Sequence, residues 1–164
     1  MKTVIIGIAR MGSTRLPGKI LLPLGEWSVL KWIERAAAHA SLVDEFVVAT
    51  TTDQRDDVVE EWCNVNQVKY YRGSEDDVLD RFTGAANSIE ADVAVRITCD
   101  CPFIDPHIID QVIALREATG ADYASNIDPP TWPDGMDCEA ITAEALNVAW
   151  NEATSKIDRE CVTT

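Results

Sequence analysis

Residues 9–19 read ARMGSTRLPGK, and they gather Arg10, Arg15 and Lys19 into one loop of a chain that carries 28 acidic residues against 14 basic ones. Gly12, Ser13, Pro17 and Gly18 are threaded between the cations. Three cations this close need an anion. Arginine forks match phosphate oxygens in pairs, and lysine adds a point charge. The glycines let the backbone approach a ligand, and successive N–H groups can form an anion nest. A polyphosphate is the ligand these residue types suit best. The plain alternative is a Gly/Pro turn with solvated charges, because a glycine loop alone carries little information. A Walker A loop is excluded. Five residues separate Gly12 from Gly18 where four are required, and Ile20 stands in place of the metal-binding hydroxyl.

A second group of residues carries the opposite charge. Asp100 follows the apolar stretch 92–98. A carboxylate there can hold Mg²⁺, which keeps few protein ligands and takes the rest from phosphate and water. A helix cap or turn is the alternative for Asp100, as a surface loop acid is for Asp137. Arg96 interrupts an apolar stretch, so its charge must either pair with a carboxylate or reach the site. Arg72 is expected to begin a turn after a short strand. No general base stands out, and His39 and His107 read as surface residues.

These groups need a frame. The apolar runs at 3–9, 45–52, 68–71 and 92–98 predict buried strands, with 121–126 as a fifth and 137–141 as one more. Ser28 is placed to cap a helix over 29–40, Asp53 one over 54–66, and Thr142 one over 143–153. Ser74 and Asp77 resemble a capping box that opens a helix to about residue 89, and Asp105–Pro106 is a helix start. Strands alternating with helices predict a doubly wound, mostly parallel α/β sheet. Ligands bind such sheets beyond the carboxyl ends of the strands, which puts the loops after Ala9, Thr50 and Thr98 at the active edge.

The 164 residues fit one domain, at 46% hydrophobic and 26% charged. A net charge of −14 argues against nucleic-acid binding and against an anionic membrane surface. No apolar run is long enough to span a bilayer, and the first ten residues read as a strand rather than a signal peptide. The five cysteines suggest no disulfide framework, so a cytoplasmic location is expected. A zinc site from Cys99, Cys101, Cys138 and Cys161 is disfavoured, since C-x-x-C pairs are missing.

Read as a whole, the opening loop closely resembles that of the sugar nucleotidyltransferases, above all the cytidylyltransferases that make CMP-sugars from acidic sugars. The segments RGSEDDVLDRF (72–82), VRITCDCPFIDP (95–106), ADYASN (121–126), PDGMDCEAI (133–141) and DRECVT (158–163) are similar, in the same order, to the spore coat polysaccharide biosynthesis protein F branch of that family. The resemblance implies a Rossmann-like nucleotide-diphospho-sugar transferase fold and transfer of CMP from CTP to a sugar with loss of pyrophosphate. It implies nucleotide contacts from Ala9, Arg10, Met11, Gly12, Ser13, Arg15 and Lys19, with Arg72 near the base; Arg96 joins the nucleotide-binding candidates if its charge reaches the site. Arg15, Lys19 and Asp100 would act on the reacting phosphates, with Mg²⁺ on Asp100 and Asp137. A same-fold glycosyltransferase and a non-catalytic nucleotide binder are the alternatives. Two positions depart from the pattern. Cys99 stands where glycine is usual, and a side chain there is expected to crowd the nucleotide; Cys161 replaces a usual histidine. The family's relatives continue well past position 164, so a missing C-terminal portion is expected, and with it part of the sugar site and a homodimer surface.

Overall fold

The computed structural model describes residues 1–163. In chain order its elements are β1 (Thr3–Ile8), β2 (Pro23–Leu24), β3 (Trp27–Ser28), α1 (Val29–His39), β4 (Glu45–Thr51), α2 (Asp57–Asn66), β5 (Lys69–Gly73), α3 (Val78–Ser88), β6 (Val93–Thr98), α4 (Pro106–Thr119), β7 (Tyr123–Ser125), β8 (Glu139–Thr142), α5 (Ala143–Glu152) and α6 (Lys156–Cys161). The main sheet has the order β5-β4-β1-β6-β8-β7. Its first four strands are parallel. β8 runs antiparallel to β6, and β7 antiparallel to β8.

Each central strand is apolar at successive positions because both of its faces are covered. Ile5, Val48 and Val95 pack with Leu30, Ile33, Val59 and Ile109 on one side. Val4, Ile6, Val47 and Ala94 pack with Leu79, Phe82 and Leu146 on the other. The sheet is therefore doubly wound, with α1, α2 and α4 on one face and α3, α5 and α6 on the other. The chain runs outward from β1 through β4 to β5, then returns to lay β6 on the other side of β1. This reversal leaves a crevice at the carboxyl ends of β1 and β6, the place where such sheets take their ligands.

Local signals account for most boundaries. Ser28 Oγ accepts from the Lys31 N–H, Asp105 from His107 with Pro106 in the first turn, and Thr142 from Ala145. The expected box at Ser74 is different. Ser74 accepts from Asp77 N–H, but Asp77 is the cap of α3, accepting from Asp80. Asp53 caps a 3₁₀ turn at Gln54–Asp56 rather than α2 itself. Arg72 lies within β5 instead of starting a turn, and this redirects its side chain. The β2–β3 ribbon and α6 were not expected from the sequence.

Candidate active site

β1 and β6 pair in register up to Ile8 and Thr98, so the loop leaving β1 and the turn leaving β6 emerge side by side. A cleft of about 280 Å³ opens between them, lined among others by Arg10, Ser13, Arg15, Lys19, Thr98 and Asp100. Lys19 Nζ donates to Asp100 Oδ2 across the crevice. Burial by itself would raise the Asp100 carboxyl. The hydrogen bond and charge of Lys19 overcome this and hold it below the ordinary aspartate range. Asp100 is thus a carboxylate at neutral pH, and its Oδ1 meets the Cys101 thiol at 3.8 Å.

The loop owes its shape to Met11. The Met11 carbonyl accepts from the N–H groups of Ser13, at 2.9 Å, and Gly18, at 3.0 Å, which closes residues 11–18 into a ring. Gly18 completes the ring at φ 72°, a conformation that favours glycine. Since the N–H groups of Met11, Ser13 and Gly18 serve internal acceptors, the expected nest of backbone donors is interrupted. Side chains supply most of the positive character. Ala9 is buried and tied to β4 through the Ala49 carbonyl. Arg15 is exposed, and no hydrogen bond or ion pair holds it among the described residues.

A residue the sequence reading missed anchors the ring. Asp56, 2% exposed, accepts from Met11 N–H at 2.7 Å and from both the N–H and the hydroxyl of Thr51. Within QRDDVV it looks like an acid of a helix's first turn, and only the parallel placement of β1 beside β4 shows its task. Arg10 lies 3.7 Å from Glu75, which also meets Arg55 at 3.0 Å.

The remaining predicted residues divide. Asp137 is exposed, and its charge helps to raise the Cys101 thiol, although burial of that thiol is the larger cause. A Cβ on Gly135 would lie 4.0 Å from Cys101 Sγ, so the loop before β8 rests beside the turn that carries Asp100. Arg72 is not brought to the cleft. Its guanidinium binds Glu60, Asp57 and the carbonyls of Thr51 and Asp53, fastening β5 to α2. Arg96 pairs with Glu139 opposite it on β8, the first of the two alternatives open to a strand-borne charge. Glu139 is 1% exposed and also accepts from the hydroxyls of Tyr123 and Thr163.

Cys99 is among the residues that line the cleft, but its side chain is almost wholly buried. Its thiol is buried against Gly7 on β1, so close that a Cβ on Gly7 would stand 2.5 Å from the sulfur. Burial pushes this thiol well above its ordinary value, which leaves it inert. All five cysteines are free, and among the described residues no three His, Cys, Asp or Glu side chains are grouped to hold a metal. Asp100 lines the cleft and Asp137 does not; a single hard carboxylate is compatible with Mg²⁺, which draws most of its ligands from phosphate and water.

The chain matches the cytidylyltransferase family over residues 3–163. It is 39% identical over 161 residues to an uncharacterized protein of Methanocaldococcus jannaschii, covering 97% of this chain and 65% of that protein. It is 37% identical over 142 residues to the spore coat polysaccharide biosynthesis protein SpsF of Bacillus subtilis, covering 84% and 58%. The chain thus spans less than two thirds of the length of these relatives. Among solved structures, a cytidylyltransferase from Leptospira borgpetersenii superposes with a TM-score of 0.93 at 35% identity, covering 99% of this chain and 69% of that one. No helix among the described residues is long and apolar enough to cross a membrane. With its doubly wound sheet, its cationic loop after β1 and a match running almost from end to end, the chain belongs to the cytidylyltransferase family.

Proposed function

We propose that this chain transfers CMP from CTP to a hydroxyl of an acidic sugar, releasing pyrophosphate, as a step in surface polysaccharide biosynthesis. The observation that supports this most directly is the Lys19–Asp100 pair across the β1/β6 crevice, which sets a cation and a carboxylate at one ligand cleft. In the reaction a sugar oxygen attacks the α-phosphorus in line, a new P–O bond forms, and the bond to the β-phosphate oxygen breaks. Little covalent work falls to the protein, so positioning and charge neutralisation dominate. Lys19 and Arg15 receive the β- and γ-phosphates and stabilise the charge that builds on the leaving pyrophosphate. Arg10 holds the triphosphate from the β4 side of the loop. Asp100, with Asp137, would hold Mg²⁺; bound there, the ion supplies charge neutralisation at the phosphate oxygens.

The test is ³¹P NMR of the protein with CTP, Mg²⁺ and a panel of sugars, half bearing a carboxylate and half neutral. Pyrophosphate and a CMP phosphodiester should appear together, and only with sugar acids. Turnover with neutral sugars alone would overturn the acidic-sugar assignment. Absence of pyrophosphate throughout, with consumption of a supplied nucleotide-sugar, would replace the reading by glycosyl transfer.

A further inference from the structure

Glu75 places a carboxylate beside the cationic loop, where it faces two guanidinium groups. Arg55 Nη2 meets its two oxygens at 3.0 and 3.1 Å, whereas Arg10 Nη1 stands off at 3.7 Å, beyond hydrogen-bond reach. Arg55 is itself bracketed by Asp53, with Nε on Oδ1 at 2.9 Å and Nη2 on Oδ2 at 3.0 Å. The Asp53 carbonyl in turn accepts from Arg72 at 2.9 Å, which ties the bracket to β5. The Arg55–Glu75 pair lies directly on Gly12, where a Cβ would come within 3.3 Å of both Arg55 Nη1 and Glu75 Oε1. Arg10 lines the cleft; Arg55 and Glu75 do not.

We propose that Arg55 is a positioning residue that holds the Glu75 carboxylate off Arg10 and so keeps Arg10 available to the triphosphate. This rests on the cleft being the triphosphate site. A carboxylate bound to Arg10 would compete with phosphate for the same donors, and the attraction between charges grows as they approach. Without Arg55, the ion-pair partner left to the Glu75 carboxylate is Arg10; Arg81 is also near, but it is buried and donates to the carbonyls of Ser74 and Glu75. Gly12 serves as the floor on which the diverted pair sits.

Binding of inorganic tripolyphosphate, measured by calorimetry without metal at fixed ionic strength, tests this. Glu75→Gln should bind about three- to tenfold more tightly than the wild type, and Arg55→Gln more weakly by a similar factor, the scale of one partly screened charge. In the double variant the Arg55 substitution should have no further effect, because no carboxylate remains to be held. A direct phosphate-binding role for Arg55 predicts the reverse, a loss undiminished by Glu75→Gln, and that result would overturn the proposal. Weaker binding by Glu75→Gln would also overturn it. If the wild type fails to bind tripolyphosphate at all, the assignment of the cleft falls first. If it binds and the three variants bind equally, only the role of Arg55 is lost. Matching melting temperatures across the set would separate these effects from general destabilisation.

Discussion

Lys19 has two tasks, and they are separable at the bench. As the phosphate donor of the proposed function it would contribute about 1.5–3 kcal/mol, the scale of a hydrogen bond to a charged group. Lys19→Ala should therefore weaken CTP binding by that amount in calorimetry, and unchanged affinity would remove Lys19 from the site. As the partner of Asp100 it also shapes stability against pH. Its charge keeps the native carboxyl below the ordinary aspartate value, so the pair stabilises the folded protein above about pH 4 and ceases to do so as pH falls through the lower native value. The pair is partly exposed, so its worth is at most about 1 kcal/mol. Urea unfolding should show the wild type ahead of Lys19→Ala near pH 7, with the gap closing below about pH 4. A gap that ignores pH would mean that Lys19 does not hold Asp100.

At the level of elements, β1 packs tightly against the residue just past β6. Gly7 leaves room for Cys99 Sγ and for the Phe46 ring, whose Cε2 would stand 2.9 Å from an added Cβ. Gly7→Ala overpacks this point and should cost roughly 1–3 kcal/mol. Adding Cys99→Gly opens the sulfur's space and should recover part of that loss, but not all, because Phe46 remains. Strict additivity of the two substitutions would contradict the packing, since neighbours in contact couple. This pair also shows which features the sequence could disclose. The caps at Ser28, Asp105 and Thr142 and the two-sided apolar strands are local signals, and they positioned the cationic loop and Asp100 at one edge. Cys99 beside Gly7, Asp56 beneath Met11 and Arg96 against Glu139 join residues that are 92, 45 and 43 positions apart. Which strands become neighbours decides those contacts, and no short stretch encodes it. Arg72 was misplaced for a smaller reason: β5 runs on to Gly73, so the expected turn residue became a strand residue pointing at α2.

For the whole molecule, the cationic cleft belongs to a body of net charge −14. If the proposed function holds, an approaching triphosphate would feel both, over different ranges. Arg10, Arg15 and Lys19 line a single cleft and act at contact distance, while the surplus acids are spread over the surface and act together from further away. Screening separates the two contributions, because the Debye length shrinks from about 30 Å at 0.01 M salt to about 8 Å at 0.15 M. The first additions of salt should mask mainly the long-range repulsion; further additions should weaken the contacts within the cleft. Affinity for CTP is therefore expected to rise between about 0.01 and 0.1 M monovalent salt and then to fall towards 0.5 M, whereas a uniformly basic anion site weakens from the outset. Calorimetric titrations across that range, at constant pH and magnesium, decide the matter. A steady decline from the lowest salt would show that the local cations dominate at every distance. The acidic surface would then have no part in how the nucleotide reaches the crevice.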